Sequence, residues 1–139
     1  MEGEAGPTVI PILVDHNVEG QATLLWGSLA AEGWLGLLPL QLVRFADVGL
    51  SPDASDRDVW RLAQARGMLL LTANRSIREP GSLEQTIRDE NTSTSLPVIT
   101  IGSPDRVDEK SYREACAARL VEIVLDLENY RGTGRIFIP

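Results

Sequence analysis

The stretch TVIPILVDHN, residues 8–17, decides the fold of this chain. Apolar side chains fill residues 9–14 apart from one proline, and the run then stops on a polar triplet that begins at Asp15. A short β-branched apolar run bounded by polar residues is typical of a strand buried on both faces, as in parallel sheets. In open α/β sheets the functional crevice lies outside the carboxyl ends of the strands. Asp15 is therefore predicted to lie at the functional edge of a sheet.

Outward from this strand, short apolar runs alternate with segments whose apolar residues have helical spacing. We predict further strands at residues 41–46, 68–71, 97–101 and 135–138. We predict helices at residues 19–33, 55–66, 82–90 and 111–129. Ser55 is the predicted N-cap of the second helix, and Ser82 with Gln85 forms a capping box at the third. This alternation predicts an α/β fold, a three-layer α/β/α sandwich with a mostly parallel central sheet.

Length and composition indicate a single domain over residues 1–139, with residues 1–7 as a flexible N-terminus. The hydrophobic fraction of 43% and the charged fraction of 24% are ordinary for a globular protein. No apolar run approaches the roughly 18–20 residues that span a bilayer, and the acidic N-terminus lacks the apolar core of a signal peptide. We expect a cytoplasmic protein without a membrane partner. The lone Cys116 excludes an internal disulfide, and its setting on a helix face predicts a buried thiol.

The net charge of −7 argues against broad electrostatic binding to a nucleic-acid backbone, which requires a positive surface. It does not exclude an enzyme that reaches phosphate through metal ions. Arginine makes up all but one of the 13 basic residues, and its planar fork suits phosphate contacts. Arg75, Arg78 and Arg88 follow the third strand and are candidates for gripping substrate phosphates. The alternative is that they are solvated charges paired with Glu79, Glu84 or Asp89.

Polar side chains follow the first three predicted strands. Asp15 follows the first, Asp47 the second and Asn74 the third, while Asp56 and Asp58 open the helix that leads into the third strand. Because the carboxyl ends of these strands lie at one edge of the sheet, the side chains are predicted to converge there. Oxygen ligands without nitrogen or sulfur favour Mg²⁺ or Mn²⁺. Such a site predicts metal-assisted phosphodiester hydrolysis.

Each of these residues also has a structural interpretation. Asp15 can accept hydrogen bonds from neighbouring loop amides, which would offset the cost of a carboxylate at the end of a buried strand. Asp56 and Asp58 lie in a first helical turn, where acidic groups interact favourably with the helix dipole. Asp47 and Asn74 are common turn-forming residue types. The sole histidine, His16, is interpreted as a surface residue or a neighbour of the site rather than a general base.

Other enzyme classes lack their required motifs. A serine hydrolase requires a nucleophile elbow such as GxSxG and a histidine base. The segment 26–30, WGSLA, lies in the middle of a predicted helix, and the only histidine adjoins Asp15. The sequence contains no P-loop, no GxGxxG motif after a strand and no Cys/His cluster for zinc.

Four motifs, taken in order, resemble the PIN-like domain family of short bacterial proteins related to toxin–antitoxin ribonucleases. They are Asp-His-Asn at residues 15–17, Asp-Val-Gly-Leu at 47–50, Ala-Ser-Asp at 54–56 and Thr-Ala-Asn at 72–74. The resemblance covers roughly residues 8–78, and the remainder is similar to an extension found in a subgroup of such proteins. It implies a PIN-like fold and a Mg²⁺- or Mn²⁺-dependent ribonuclease with an RNA substrate, an antitoxin protein as partner and a homodimeric assembly.

The positions of the residues, together with the resemblance, predict roles for individual side chains. Asp15, Asp56 and Asn74 would be catalytic, with Asp15 and Asp56 binding the metal and Asp47 as a further carboxylate ligand. Arg75 and Arg78 would bind the substrate. Asn17 and Asp58 would support the site without contacting the metal.

The chain departs from the family pattern at the third strand end. Asn74 carries an amide where the family has an acid, and Ser76 occupies the place of a second acidic residue. Fewer charges mean weaker metal affinity, unless another carboxylate such as Asp47 or Asp58 joins the site. The alternative hypothesis is therefore a catalytically weak or inactive PIN-like module that binds RNA or a partner protein, through the same crevice or through the apolar segment 34–40.

Overall fold

Five parallel strands form the centre of the computed structural model, which describes residues 9–73 and 82–139. The strands are β1 (Ile10–Val14), β2 (Leu40–Val43), β3 (Leu69–Ala73), β4 (Val98–Ile101) and β5 (Arg135–Ile138). They lie in the order β2-β1-β3-β4-β5, and every neighbouring pair is parallel. The prediction of a mostly parallel sheet is confirmed, and the sheet is parallel throughout the described residues.

Helices cover both faces of the sheet. They are α1 (Glu19–Ala31), α2 (Asp56–Ala65), α3 (Leu83–Glu90) and α4 (Lys110–Leu125). Short 3-10 turns occur at His16–Val18, Trp34–Gly36, Phe45–Val48, Pro104–Arg106 and Leu127–Tyr130. The helices α1 and α4 pack on one face of the sheet, whereas α2 and α3 pack on the other. The predicted three-layer α/β/α sandwich is confirmed.

The strands are buried because their apolar runs point to both faces. All residues of β3 and β4 are buried. Along β1, Ile12 and Val14 join the core under α1 and α4, while Leu13 joins the core under α2 and α3. This alternation is the period of two that a strand imposes on its side chains. The strand order places β1 between β2 and β3, so Asp15 follows an inner strand of the sheet.

Side-chain caps begin α2 and α3 where the sequence predicted. Ser55 Oγ accepts a hydrogen bond from the Asp58 backbone N–H at 3.1 Å. Ser82 Oγ accepts one from the Gln85 N–H at 3.4 Å. The second half of the predicted Ser82–Gln85 capping box is replaced, because the Gln85 side chain donates to Asp89 Oδ1 at 2.9 Å.

The two largest errors in the predicted boundaries concern the second strand and the last helix. The second strand was expected to run over residues 41–46, but it ends at Val43 and a 3-10 turn follows. The Asp47 carboxylate accepts from the Arg44 N–H at 2.8 Å, which closes this turn and takes the chain out of the sheet. The last helix ends at Leu125 rather than near residue 129, and the turn Leu127–Tyr130 takes its place.

Several predictions fall outside the described residues. They are the flexible residues 1–7 and the site roles of Asn74, Arg75 and Arg78. Within the described residues, no helix combines the length and the apolar character that crossing a membrane requires.

Candidate functional site

A cleft of about 380 Å³ opens at the carboxyl ends of β1 and β3. Its walls are these strand ends and the N-termini of α2 and α3. We call it the site cleft. Asp15, Asn17 and Asp56 all line it, so the structure brings together three of the residues proposed from the sequence. The location agrees with the rule that parallel sheets carry their sites at the carboxyl edge.

Asp15 is anchored on three sides. Its backbone N–H donates to the Leu71 carbonyl at 2.9 Å, which ties the end of β1 to β3. Its Oδ2 accepts from Thr72 Oγ1 at 2.9 Å, and its Oδ1 accepts from the Asn17 N–H at 3.2 Å. The structural interpretation of Asp15 predicted a hydrogen bond from a loop amide, and the Asn17 N–H supplies it. This bond uses only Oδ1, whereas the Thr72 hydroxyl orients Oδ2. The carboxylate is half-buried in the wall of the site cleft.

Asp56 connects two helices. It is the first residue of α2, and its Oδ2 accepts from the backbone N–H of Leu83, the first residue of α3, at 3.0 Å. The first N–H groups of a helix lack hydrogen-bond partners within that helix. Asp56 accepts from one of these groups in α3 and so caps the neighbouring helix. This contact fixes the position of α3 relative to α2. The dipoles of both helices direct their positive ends toward the cleft.

The structure separates the remaining predicted carboxylates from this site. Asp47 is exposed and closes the turn after β2, as its structural interpretation predicted, and it does not line the cleft. Asp58 is exposed on α2, and it too does not line the cleft. Asn17 donates its backbone N–H to Asp15, which supports the first loop.

The cleft also contains charged residues that sequence reasoning missed. Asp53, Glu84 and Arg135 all line it. Asp53 precedes α2, and Glu84 lies in the first turn of α3. Arg135 begins β5, beside the start of β4. The sequence around Arg135 gave no indication that this residue belongs to the site. It lies near α3 only because β5 pairs with β4 in the sheet. Glu84 appeared in the sequence only as a partner for arginines, although its place in a predicted first turn was a usable signal.

The side chains that line the site cleft can be compared with the ligands that a divalent cation requires. Within residues 9–73 and 82–139, no group of three or more His, Cys, Asp or Glu side chains is arranged to hold a metal ion. Asp15 and Asp56 nevertheless supply carboxylate oxygens to one cleft. Mg²⁺ keeps several waters and commonly takes one or two carboxylates together with substrate phosphates. The two residues therefore fit the type of ligand that this ion prefers.

An ion-pair cluster, made of Arg57, Arg61, Asp89 and Glu90, connects α2 to α3. Arg57 donates to Asp89 at 2.9 Å and also to Glu90, while Arg61 donates to both oxygens of Glu90 at 2.8 Å. The hydrogen bond from Arg61 holds the pKa of the Glu90 carboxyl below its usual value of 4.5. The bond from Arg57 lowers the pKa of Asp89 from its usual 3.8. The cluster fastens the two helices whose N-termini form the cleft wall.

Two reactive side chains lie away from the cleft. Cys116 is buried, its Sγ lies 3.4 Å from the Ile138 carbonyl, and burial raises the pKa of its thiol. The structure therefore agrees with the predicted buried thiol. His16 is exposed, with Nδ1 3.4 Å from Glu19 Oε2, and it does not line the site cleft.

Comparison with known proteins adds no family to this description. No protein-family model matches the chain, and neither curated proteins nor solved structures give a significant match.

Proposed function

We propose that this protein is a Mg²⁺- or Mn²⁺-dependent ribonuclease of the PIN-like type that acts at the site cleft. One observation carries the proposal. Asp15 and Asp56 come from different elements, and both line a single cleft at the carboxyl edge of a parallel sheet. Carboxylates gathered from distant parts of a chain are the usual protein contribution to a site that binds Mg²⁺ with phosphate.

In this proposal, Asp15 and Asp56 hold the cation. When bound, the cation would polarise a phosphoryl oxygen and lower the pKa of a water molecule. Thr72 keeps the Asp15 carboxylate in one orientation through its hydrogen bond, which is the role of an outer-shell partner in metal sites. Asp15 also orients the attacking water, and the backbone N–H of Asn17 maintains the loop that carries it.

Residues outside the described part of the chain complete the proposal. Asn74 is assigned as a neutral ligand or water anchor, and Arg75 and Arg78 as phosphate contacts. We further propose a toxin-like cytoplasmic protein that forms a homodimer and binds an antitoxin. These assignments rest on the resemblance to PIN-like domains.

A specific observation favours the second hypothesis, that of a weak or inactive module that binds RNA or a partner protein. Asp47 and Asp58 are the carboxylates that could replace the missing acidic ligand, but they do not line the cleft. They therefore do not compensate there for the neutral Asn74. In that case the same cleft would bind its ligand without cleavage.

A metal titration of the wild type and three variants tests the proposal. Asp15→Asn and Asp56→Asn each remove one charge from the cleft. Glu32→Gln removes one from an exposed position at the end of α1 and is the control. Mn²⁺ at a hundred times its dissociation constant should stabilise the wild type and the control by about 2.7 kcal/mol. The two cleft variants should lose this gain, which thermal denaturation measures.

Cleavage of a mixed RNA preparation with Mn²⁺ then separates the two hypotheses. Both cleft variants should cleave at least a hundredfold more slowly than wild type, since even an outer-shell change commonly costs 10–100-fold. Wild-type cleavage equal to that of Asp15→Asn would refute the ribonuclease. Stabilisation by Mn²⁺ without cleavage would support the binding module.

A further inference from the structure

Arg135 places a guanidinium group in the wall of the site cleft. Its side chain is only 22% exposed. Its Nε is buried and has no hydrogen-bond partner within the described chain. A buried donor without a partner is costly, so this nitrogen requires an explanation. A movement of the guanidinium toward a ligand in the cleft would expose this nitrogen and give it an acceptor.

The acidic group that faces Arg135 is Glu84, and the pair is loose. Arg135 Nη1 lies 3.6 Å from Glu84 Oε1, which is too long for a hydrogen bond. The Glu84 side chain is 53% exposed, so it can turn to solvent at little cost. Its charge compensates the guanidinium without engaging the fork of donors. That fork matches two oxygens of a phosphate group.

The surroundings of Arg135 also favour an anion. Ser82, Leu83 and Glu84 form the N-terminus of α3, and all three line the same cleft. The positive end of the α3 dipole therefore points toward the space beside the guanidinium. The unpartnered Nε and this helix terminus are independent features of one wall.

The position of Arg135 differs from that of the proposed metal ligands. Arg135 is level with Val98 on β4, and Val98 is level with Leu70 on β3. Thr72, which bonds to Asp15, lies two residues further along β3. Strand spacing and rise put the Cα atoms of Thr72 and Arg135 roughly 12 Å apart. An anion at Arg135 would thus occupy its own subsite in the cleft.

We propose that Arg135 is the binding residue of a phosphate subsite, and that Glu84 is the internal anion which the incoming phosphate displaces. The identity of the ligand as RNA rests on the proposed function, whereas the phosphate subsite stands on the contacts of Arg135 alone. The subsite gives a cleft with four carboxylates a place to hold a polyanionic substrate.

Titration of the full chain with inorganic phosphate, at constant ionic strength and with EDTA present, tests the subsite without metal or cleavage. The ¹⁵N NMR signal of the Arg135 Nε–H is assigned by its loss in Arg135→Lys. It should shift and saturate with phosphate but not with chloride. Glu84→Gln should tighten phosphate binding about two- to fivefold, because it removes a competing charge of surface-pair strength. Arg135→Gln should weaken it on the order of tenfold.

Arg66→Gln is the matched control, since Arg66 is exposed at the far end of α2 and does not line the cleft. It should bind phosphate as wild type does. A wild-type Arg135 signal that ignores phosphate, or equal affinity in Glu84→Gln and wild type, would overturn the subsite. The comparison of Glu84→Gln with wild type remains valid if the Arg135 variants fail to fold. Loss of RNA cleavage with an intact Arg135 response would remove the ribonuclease proposal only.

Discussion

The two faces of the sheet bury different kinds of side chain. Under α1 and α4 the core is almost entirely apolar, and it includes fully buried Leu29, Leu120 and Ile123. Under α2 and α3 the described apolar cluster is smaller, and the polar site cleft borders it. The ion-pair cluster of Arg57, Arg61, Asp89 and Glu90 joins these two shorter helices.

This difference shows how the chain accommodates a cleft of carboxylates. Charged groups are expensive to bury without partners, so they belong where the apolar layer is thin and helix termini supply donors. The face under α1 and α4 is then left to provide most of the hydrophobic stabilisation. Equal substitutions on the two faces should therefore differ in their cost to stability.

The largest expected effect comes from equal truncations in the two cores. Leu120 on α4 is fully buried, and Leu83 at the start of α3 is 7% exposed. Leu120→Ala should cost about 3–5 kcal/mol of unfolding free energy, and Leu83→Ala about 2–3 kcal/mol, because the thinner layer relaxes more easily around the missing atoms. Urea denaturation measures both values. An equal or larger loss for Leu83→Ala would contradict the contrast between the faces.

The fold was predictable because its signals are local and repeated. Short, mostly apolar segments predicted all five strands, and serine caps predicted the starts of α2 and α3. The end of β2 was missed because Asp47 bonds to Arg44 instead of continuing a strand. That bond depends on a turn geometry which the apolar pattern around residues 41–46 does not indicate.

The candidate site was predictable only in part. Asp15 and Asp56 follow from the rule on strand ends together with the resemblance, whereas Arg135 depends on which strand neighbours β4. Strand order is set by packing across the whole sheet and has no local signature. The bond between Asp56 and Leu83 is likewise a tertiary contact. The sequence suggested that Asp56 interacts with the dipole of its own helix, but it did not show that the carboxylate caps a second helix.

A smaller effect is expected from removing one hydroxyl at each of two neighbouring positions. Thr72 and Thr100 are register partners on β3 and β4, and both are buried. Thr72 donates to Asp15, whereas Thr100 Oγ1 has no hydrogen-bond partner in the described chain. Thr72→Val should cost about 1–2 kcal/mol, and Thr100→Val should be neutral or stabilising.

Chemical denaturation of these two variants, with Mn²⁺ absent and present, separates structure from function. Without metal, the difference between Thr72→Val and Thr100→Val reports the bond to Asp15. With Mn²⁺, Thr72→Val should also show a 10–100-fold weaker metal affinity if Asp15 is a ligand. Equal stabilities for the two variants would show that the Thr72 hydroxyl does not support the site.

The smallest effect concerns acid stability on the cleft face. The pKa values of Asp89 and Glu90 are lowered in the folded state, mainly by hydrogen bonds from Arg57 and Arg61 respectively. A lowered folded-state pKa gives stability that is complete above the unfolded-state pKa and is lost as the pH falls through the folded-state value. The ion-pair cluster should therefore weaken below about pH 4.5, the usual pKa of Glu90.

Urea midpoints between pH 2 and pH 6 (a range on either side of the ordinary carboxyl pKa values) measure this dependence. Glu90→Gln should lower the midpoint near pH 6 and flatten its decline in acid, because the variant has less stabilisation to lose. Glu122→Gln on α4 removes a glutamate whose side chain is 66% exposed and which pairs with Arg119, so its curve should follow wild type. If both variants gave the same curve, the cluster between α2 and α3 would contribute no more than an exposed pair. The thinner face would then be stabilised mainly by its apolar contacts and by bonds to backbone groups, such as the one from the Leu83 N–H to Asp56.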